Sequence, residues 1–204
     1  MRDFRFDPET HSYFLDGRRI VGITEAMARA GLTPPKPENR TALDNFRRAG
    51  ERGSVVHKMC ELYDTGREHE FEMDPTLEGY AIAWRNFCEE YGFQSELTEV
   101  PLPHEIYQFG GTPDTAGNSS LLGGFTVAER KTRELQDYDG FQLAAQELLV
   151  QRELKTDKPM FLLGVRLKQD GHFEVRVYSA KRTFYRGLFL AAVSVANYQI
   201  SQGR

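Results

Sequence analysis

The chain of 204 residues is poor in cysteine, tryptophan and histidine, with two, one and five of them, and it has no excess of positive charge. Cys60 and Cys88 are too few for a four-cysteine zinc or iron–sulfur site and make no disulfide framework, so the sequence reads as that of a reduced, intracellular protein without an iron–sulfur cluster. No apolar run approaches the ~20 residues that cross a bilayer, so no membrane partner is expected. The opening residues, MRDFRFDPETH, lack the apolar stretch of a secretion signal. No GxxxxGK[ST] phosphate loop is present, so this chain carries no helicase motor. A formal charge of −4 speaks against a protein that coats nucleic acid through a basic surface. It leaves room for an enzyme acting on nucleic acid, because acidic metal ligands can dominate the total. What the chain does have is a globular composition, 40% hydrophobic with 14 Phe and 9 Tyr, enough for the core of a single domain spanning 1–204.

Strands are expected over FRFDPE, HSYFLDG and GRRIVGI, followed by a short helix, EAMARAGL, with Thr24 as its N-cap. These make an N-terminal hairpin and helix extension over 1–35. GLTPPKPEN reads as a connector or a lid. The next apolar pattern, from Phe46 to Tyr63, is helical, with Gly50 and Gly53 expected to bend or interrupt it. A second helix over 75–92 ends near Gly92. Two strands joined at a proline-containing turn are expected over 93–117, then a strand at GGFTVAERKT, an amphipathic helix at 137–154, a hairpin turning at Gln169-Asp170-Gly171, and a closing helix. The order implies an α/β (α+β) fold: a central mixed β-sheet flanked by helices, with the core sheet over 93–180.

Two fragments carry candidate chemistry. Asp114 ends GTPD, and Glu129 begins ERKT fifteen residues later. Alternation along a strand puts Glu129 and Lys131 on one face. A carboxylate inside the apolar strand FTVAERKT needs a partner or a metal. Two converging acids make a hard oxygen site for Mg²⁺ or Mn²⁺, and a lysine beside them can position water or offset charge on a phosphate. Taken alone, the same residues also read as a solvated surface pair. His57 and Glu61 lie at i and i+4 on one helical face, and the imidazole would favour Mn²⁺. Gln142 opens FQLAAQELL, where it either borders the active end of the sheet or is ordinary helix surface.

Together, RGSVVH (52–57), GTPD (111–114), ERKT (129–132) and FQLAAQ (141–146) resemble the motifs of the PD-(D/E)XK nuclease superfamily, in the family's order. The likeness is greatest to its RecB-type and phage exonuclease branch, and DPETHSYFLDGRRIVGITEAM resembles the opening of phage-encoded members. The resemblance implies a restriction-endonuclease-like core and a divalent-metal-dependent DNA exonuclease, in phage-type recombination or DNA processing. It implies His57, Asp114 and Glu129 as ligands of Mg²⁺ or Mn²⁺, with the backbone carbonyl of Arg130, and Glu99 as a candidate ligand of a second ion. Lys131 would activate the water, Gln142 would orient the site, and Glu61 is a weaker candidate to support a ligand. The family's last motif ends in Tyr, where this chain has Gln146.

DNA is the implied partner, held through its backbone with little sequence specificity. Arg47, Arg48 and Arg52 approach His57 along one helix and are the first candidates for phosphate contact, with Arg133 beyond the lysine motif. Lys36, Arg40, Lys58, Arg130, Lys181, Arg182 and Arg186 are further cations that could meet phosphates. A single-strand annealing protein and a homo-oligomer are partners implied by the resemblance alone, as is a cytoplasmic location in a bacterial cell or phage-infected host. Two other readings stay open: a structure-specific or single-strand endonuclease with the same site, and a non-catalytic nucleic-acid-binding protein that retains the fold.

Overall fold

Strand alternation begins at once: in β1 (Phe4–Asp7), β2 (Ser12–Leu15) and β3 (Arg18–Gly22), Tyr13, Leu15 and Ile20 turn inward to form a small apolar cluster. Asp16 and Gly17 join β2 to β3 with φ of 49° and 73°, the left-handed pair that a two-residue hairpin requires. The computed structural model describes residues 3–35, 37–70, 72 and 74–203; Lys36 lies outside them. Helix α1 (Ile23–Arg29) starts two residues earlier than expected, with Gly22 rather than Thr24 as its N-cap.

Helix α2 (Arg40–Asp64) is continuous for 25 residues, through Gly50 and Gly53. Its N-terminus is capped by the Asn39 side chain, which accepts from the Ala42 amide at 2.8 Å. Its last turns bury Val56, Met59, Cys60 and Leu62, and that packing carries the helix past its two glycines. Helix α3 (Glu78–Tyr91) ends at Gly92 in the left-handed conformation, φ 50°.

The segment expected to hold two strands holds four: β4 (Phe93–Thr98), β5 (Leu102–His104), β6 (Phe109–Gly111) and β7 (Thr115–Ser119). They are shared between two sheets. With β8 (Gly124–Lys131), α4 (Asp139–Glu153), β9 (Phe161–Leu167), β10 (Phe173–Val177) and α5 (Arg182–Ser201), the central sheet runs β10-β9-β8-β7-β4. Only its β8–β9 pair is parallel, and α4 makes that crossover. The second sheet runs β1-β2-β3-β6-β5, so the expected N-terminal hairpin is extended by a parallel β3–β6 pair into a sheet of its own.

The central sheet is covered on both faces. Val127 of β8 packs toward α4 and α5, in a core with Leu143, Leu149 and Phe189, while Ala128 shares a core with Val56 and Cys60 of α2 and with Trp84 and Phe87 of α3. No helix among the described residues is long and apolar enough to cross a membrane. The chain passes from β4 of the central sheet to β5 of the second, and returns from β6 to β7. Glu99 stands in the first passage with φ 50°, and Asp114 closes the second. The two passages are tied together, because the Glu99 amide donates to the carbonyls of Pro113 and Asp114 at 3.1 and 3.2 Å. The seam between the sheets therefore brings two carboxylates side by side.

Candidate metal centre and its cleft

Register and alternation place the rest of the site. Thr115 of β7 pairs with Ala128 of β8, so the next positions bring Asp114 alongside Glu129 and Arg130. The Arg130 amide donates to Asp114 Oδ2 at 2.7 Å. Glu129 and Lys131 share the face of β8 that looks toward α4, and Arg130 points to the opposite face. From α2, His57 reaches this strand end with both ring nitrogens engaged. Its Nε2 lies 3.0 Å from the Arg130 carbonyl, and its Nδ1 lies 3.4 Å from Glu99 Oε1 and 3.5 Å from Asp114 Oδ1. Ligand atoms of His57, Glu99 and Asp114 fall within 4.8 Å of one another.

This donor set fits a hard divalent cation. It offers carboxylate oxygens and one imidazole nitrogen, the mixture that suits Mn²⁺ and also admits Mg²⁺. With Nε2–H donating to the Arg130 carbonyl, Nδ1 is left to face the two carboxylates, the usual way an outer hydrogen bond selects a ligating tautomer. The Arg130 carbonyl, expected as a ligand, is here the partner of the imidazole. Burial by itself would lower the His57 pKa, but the negative charge of Asp114 and the contact with Glu99 outweigh it, and the imidazole titrates above its ordinary range.

Glu129 is 1% exposed and is held by two side chains: it accepts from the Lys131 ammonium, and from Gln146 Nε2 at 2.5 Å. Burial, then the neighbouring charge of Asp114, pushes its carboxyl above the usual range against the pull of Lys131. Lys131 also donates to Gln142 Oε1 at 3.3 Å. Burial would depress its pKa, yet Glu129 and Asp114 prevail and raise it, so the side chain stays an ammonium. Glu129 thus stands beside the three-residue cluster rather than within it, and Gln146 is its direct partner although the residue departs from the family's Tyr.

The Arg130 guanidinium is fully buried and so meets no phosphate. It donates to Asp64 Oδ2 at 2.9 Å, to Glu99 Oε1 at 3.0 Å and to the Asp114 carbonyl at 2.7 Å, and it lies 5.1 Å over the Trp84 ring. Asp64, at the end of α2, also accepts from Trp84 Nε1 at 2.7 Å. Asp64 was not foreseen from the sequence, since only the fold joins it to a strand 66 residues on.

Ser54, His57, Asp114, Glu129, Lys131 and Gln142 border one open cleft of about 850 Å³ that runs beneath α2. Of the cations read as phosphate contacts, Arg52, Lys58, Arg130 and Arg133 line it, Arg130 with its guanidinium buried. Arg52 is exposed and has no acidic partner among the described residues. Arg133 is forked onto Asp139 at 3.0 and 2.5 Å, and Lys58 holds Glu61 at 2.8 Å, so Glu61 serves the lysine rather than His57. Arg47 is exposed beside Asp44 and Glu51, and neither it nor Arg48 borders the cleft. Arg182 and Arg186 instead bind the buried carboxylate of Glu147, at 2.8 and 3.0 Å, and tie α5 to α4.

No protein-family model matches the chain, and no curated protein sequence matches it. Among solved structures it is similar to a candidate exonuclease from Eubacterium rectale, at 13% identity and a TM-score of 0.46, over 87% of this chain and 81% of that one. It is also similar to an alkaline exonuclease from Laribacter hongkongensis, at 14% identity and a TM-score of 0.41, over 90% of this chain and 93% of that one. The same exonuclease in complex with dAMP matches at 13% identity with a TM-score of 0.34.

Proposed function

We propose that this chain is a divalent-metal-dependent deoxyribonuclease, a DNA exonuclease acting in phage-type recombination or DNA processing. The observation that carries the reading is the gathering of His57, Glu99 and Asp114 within 4.8 Å, beside the buried Glu129–Lys131 pair, at the edge of a cleft that also holds free positive charge. His57, Glu99, Asp114 and Glu129 would hold Mg²⁺ or Mn²⁺. Such an ion, when bound, lowers the pKa of water and polarises a phosphoryl oxygen.

The chain's own residues supply the rest. Lys131, paired with Glu129 beside the cluster, would position and activate the water and offset charge growing on the phosphate. Gln142 steadies that ammonium from α4, and Gln146 fixes the rotamer of Glu129. The Arg130 guanidinium holds Glu99 from behind while its carbonyl sets the ring of His57. Arg52, with Lys58 and Arg133 near it, supports binding of the DNA backbone along α2 without base reading. A recombination role would bring a single-strand annealing protein as partner.

The test is digestion of linear duplex, closed circular duplex and single-stranded DNA with Mn²⁺ or Mg²⁺, beside Lys131→Ala and Asp114→Asn. We expect cleavage of linear DNA that EDTA abolishes, with each variant reduced by roughly 10²-fold or more. Cutting of closed circles would move the assignment to an endonuclease. Absence of cleavage from every substrate, or variants as active as the parent, would overturn it.

A further inference from the structure

A second cavity, of about 510 Å³, lies on the other side of the candidate metal cluster, and it shares Thr24, His57, Glu99, Asp114 and Gln142 with the α2 cleft. Its remaining wall comes largely from the N-terminal sheet: Phe6, Pro8, His11, Tyr13 and Thr112. We propose that this cavity receives one unpaired nucleoside of the substrate strand, with its base stacked against Phe6 and His11, while the adjoining phosphate lies at the cluster. The inference rests on the nuclease reading and assigns the strand a direction through the site.

Three observations point to a base rather than a second phosphate. The first is charge. The carboxylates of the cavity are those of the cluster, apart from Glu25, which is held by Arg19 at 2.7 Å and Arg29 at 3.0 Å. The rest of the wall is aromatic, hydroxyl, amide and aliphatic, without a cationic Lys or Arg, whereas Arg52, Lys58 and Arg133 all lie on the α2 side. Phosphates are thus favoured on one side of the cluster and an uncharged ring system on the other.

The second is the state of the rings. Phe6 is only half-buried and meets His11 edge to face at 5.2 Å and Tyr13 tilted at 5.0 Å. His11 is exposed and sits at φ 49°, a left-handed backbone that costs a residue with a side chain about 1 kcal/mol. That conformation sets the imidazole beside the cavity, where Tyr13 Oη lies 3.2 Å from its Nε2 and 3.0 Å from Thr112 Oγ1. The ring cluster is therefore hydrogen-bonded directly to the GTPD segment that presents Asp114.

The third is size. The volume is in the range that takes a nucleotide-sized ligand. One nucleoside is enough to fill it, which favours a frayed end or single-stranded DNA as the form that reaches the cluster. Stacking on an aromatic face is tolerant of base identity, in keeping with a site that does not read sequence.

The experiment uses two short single strands carrying 2-aminopurine, one at the 5′ end and one at the 3′ end, mixed with the full-length protein in EDTA. Phe6→Leu is the variant, because it keeps apolar volume on Tyr13 while removing the stacking face. We expect the parent to quench one of the two labels, Phe6→Leu to bind roughly 5- to 150-fold more weakly without that quench, and Phe6→Trp to restore it. Equal melting temperatures of parent and Phe6→Leu show that the fold is kept. Quenching of neither label by the parent, or equal quenching by Phe6→Leu, overturns the inference. Since the readout needs no cleavage, a protein that quenches but never cuts sinks the nuclease reading instead, and one that cuts but never quenches sinks only the base site.

Discussion

Arg130 holds the variable place between Glu129 and Lys131, and its three chemical groups reach three parts of the site. The amide binds Asp114, the carbonyl binds His57, and the guanidinium binds Glu99 and Asp64. Asp64 is the counter-charge that makes burial of that guanidinium tolerable, and it is itself 2% exposed. Asp64→Ala should destabilise the protein by about 3–5 kcal/mol in urea unfolding, and Asp64→Asn by less, because the amide oxygen can still accept from one of its two donors, Trp84 or Arg130. Part of this was legible beforehand: alternation alone separates Arg130 from Glu129 and Lys131. The partner was not, because Asp64 follows an unremarkable helical stretch and meets Arg130 only through the fold. His104 was overlooked for a similar reason. It is 6% exposed, stacks on Phe109 at 5.3 Å, and accepts from the Tyr107 amide through Nδ1 at 3.2 Å. Burial holds its pKa below the ordinary value. A depressed histidine contributes stability that is present above the unfolded pKa of about 6.5 and lost as pH falls through the folded value. His104→Phe, measured by urea unfolding from pH 7.5 to 5, should lose less stability on acidification than the parent; parallel profiles would refute this.

At the scale of elements, short pieces resist reading and long ones do not. The hairpin of β9 and β10 and the helices α3, α4 and α5 follow from periodicity and turn residues, because each offers several repeats of its pattern. Strands β5 and β6 have three residues each, too few for an alternation to show, and the chain crosses between sheets through the left-handed Glu99 rather than through a marked turn. That crossing is also what sets Glu99 beside Asp114, so the feature hardest to foresee builds half of the candidate cluster. In α2 the error ran the other way. Glycine carries a local cost of roughly 0.5–1 kcal/mol in a helix, and tertiary burial at the far end overrides it. A Cβ added at Gly50 would meet nothing within 4 Å. Gly50→Ala should therefore stabilise the protein by about 0.5–1 kcal/mol, seen as a rise of a few degrees in thermal midpoint. A fall in stability would mean that the backbone at Gly50 is under a constraint not visible in its contacts.

Across the whole molecule, the candidate ligands come from parts that are distant in sequence. His57 stands on α2, Glu99 in the passage from the central sheet to the second, and Asp114 in the passage back. An ion bound to all three would clasp a helix and both sheet crossings, so it would add to global stability as well as to chemistry. At one hundred times its dissociation constant, Mn²⁺ should stabilise by about 2.7 kcal/mol, or ~5–10 °C in thermal midpoint for a domain of this size. Proton and metal compete for His57. In the metal-free protein its raised pKa contributes stability that is complete below about 6.5 and lost as pH rises through the folded value. Metal binding needs the proton gone, so its contribution moves oppositely and grows with pH. Melting with and without Mn²⁺ should show a larger shift at pH 8 than at pH 6, EDTA should reverse it, and His57→Ala should reduce it while flattening its pH dependence. A shift of equal size at both pH values, or one that survives His57→Ala unchanged, would place the ion elsewhere on the protein and remove the ligand role assigned to that imidazole.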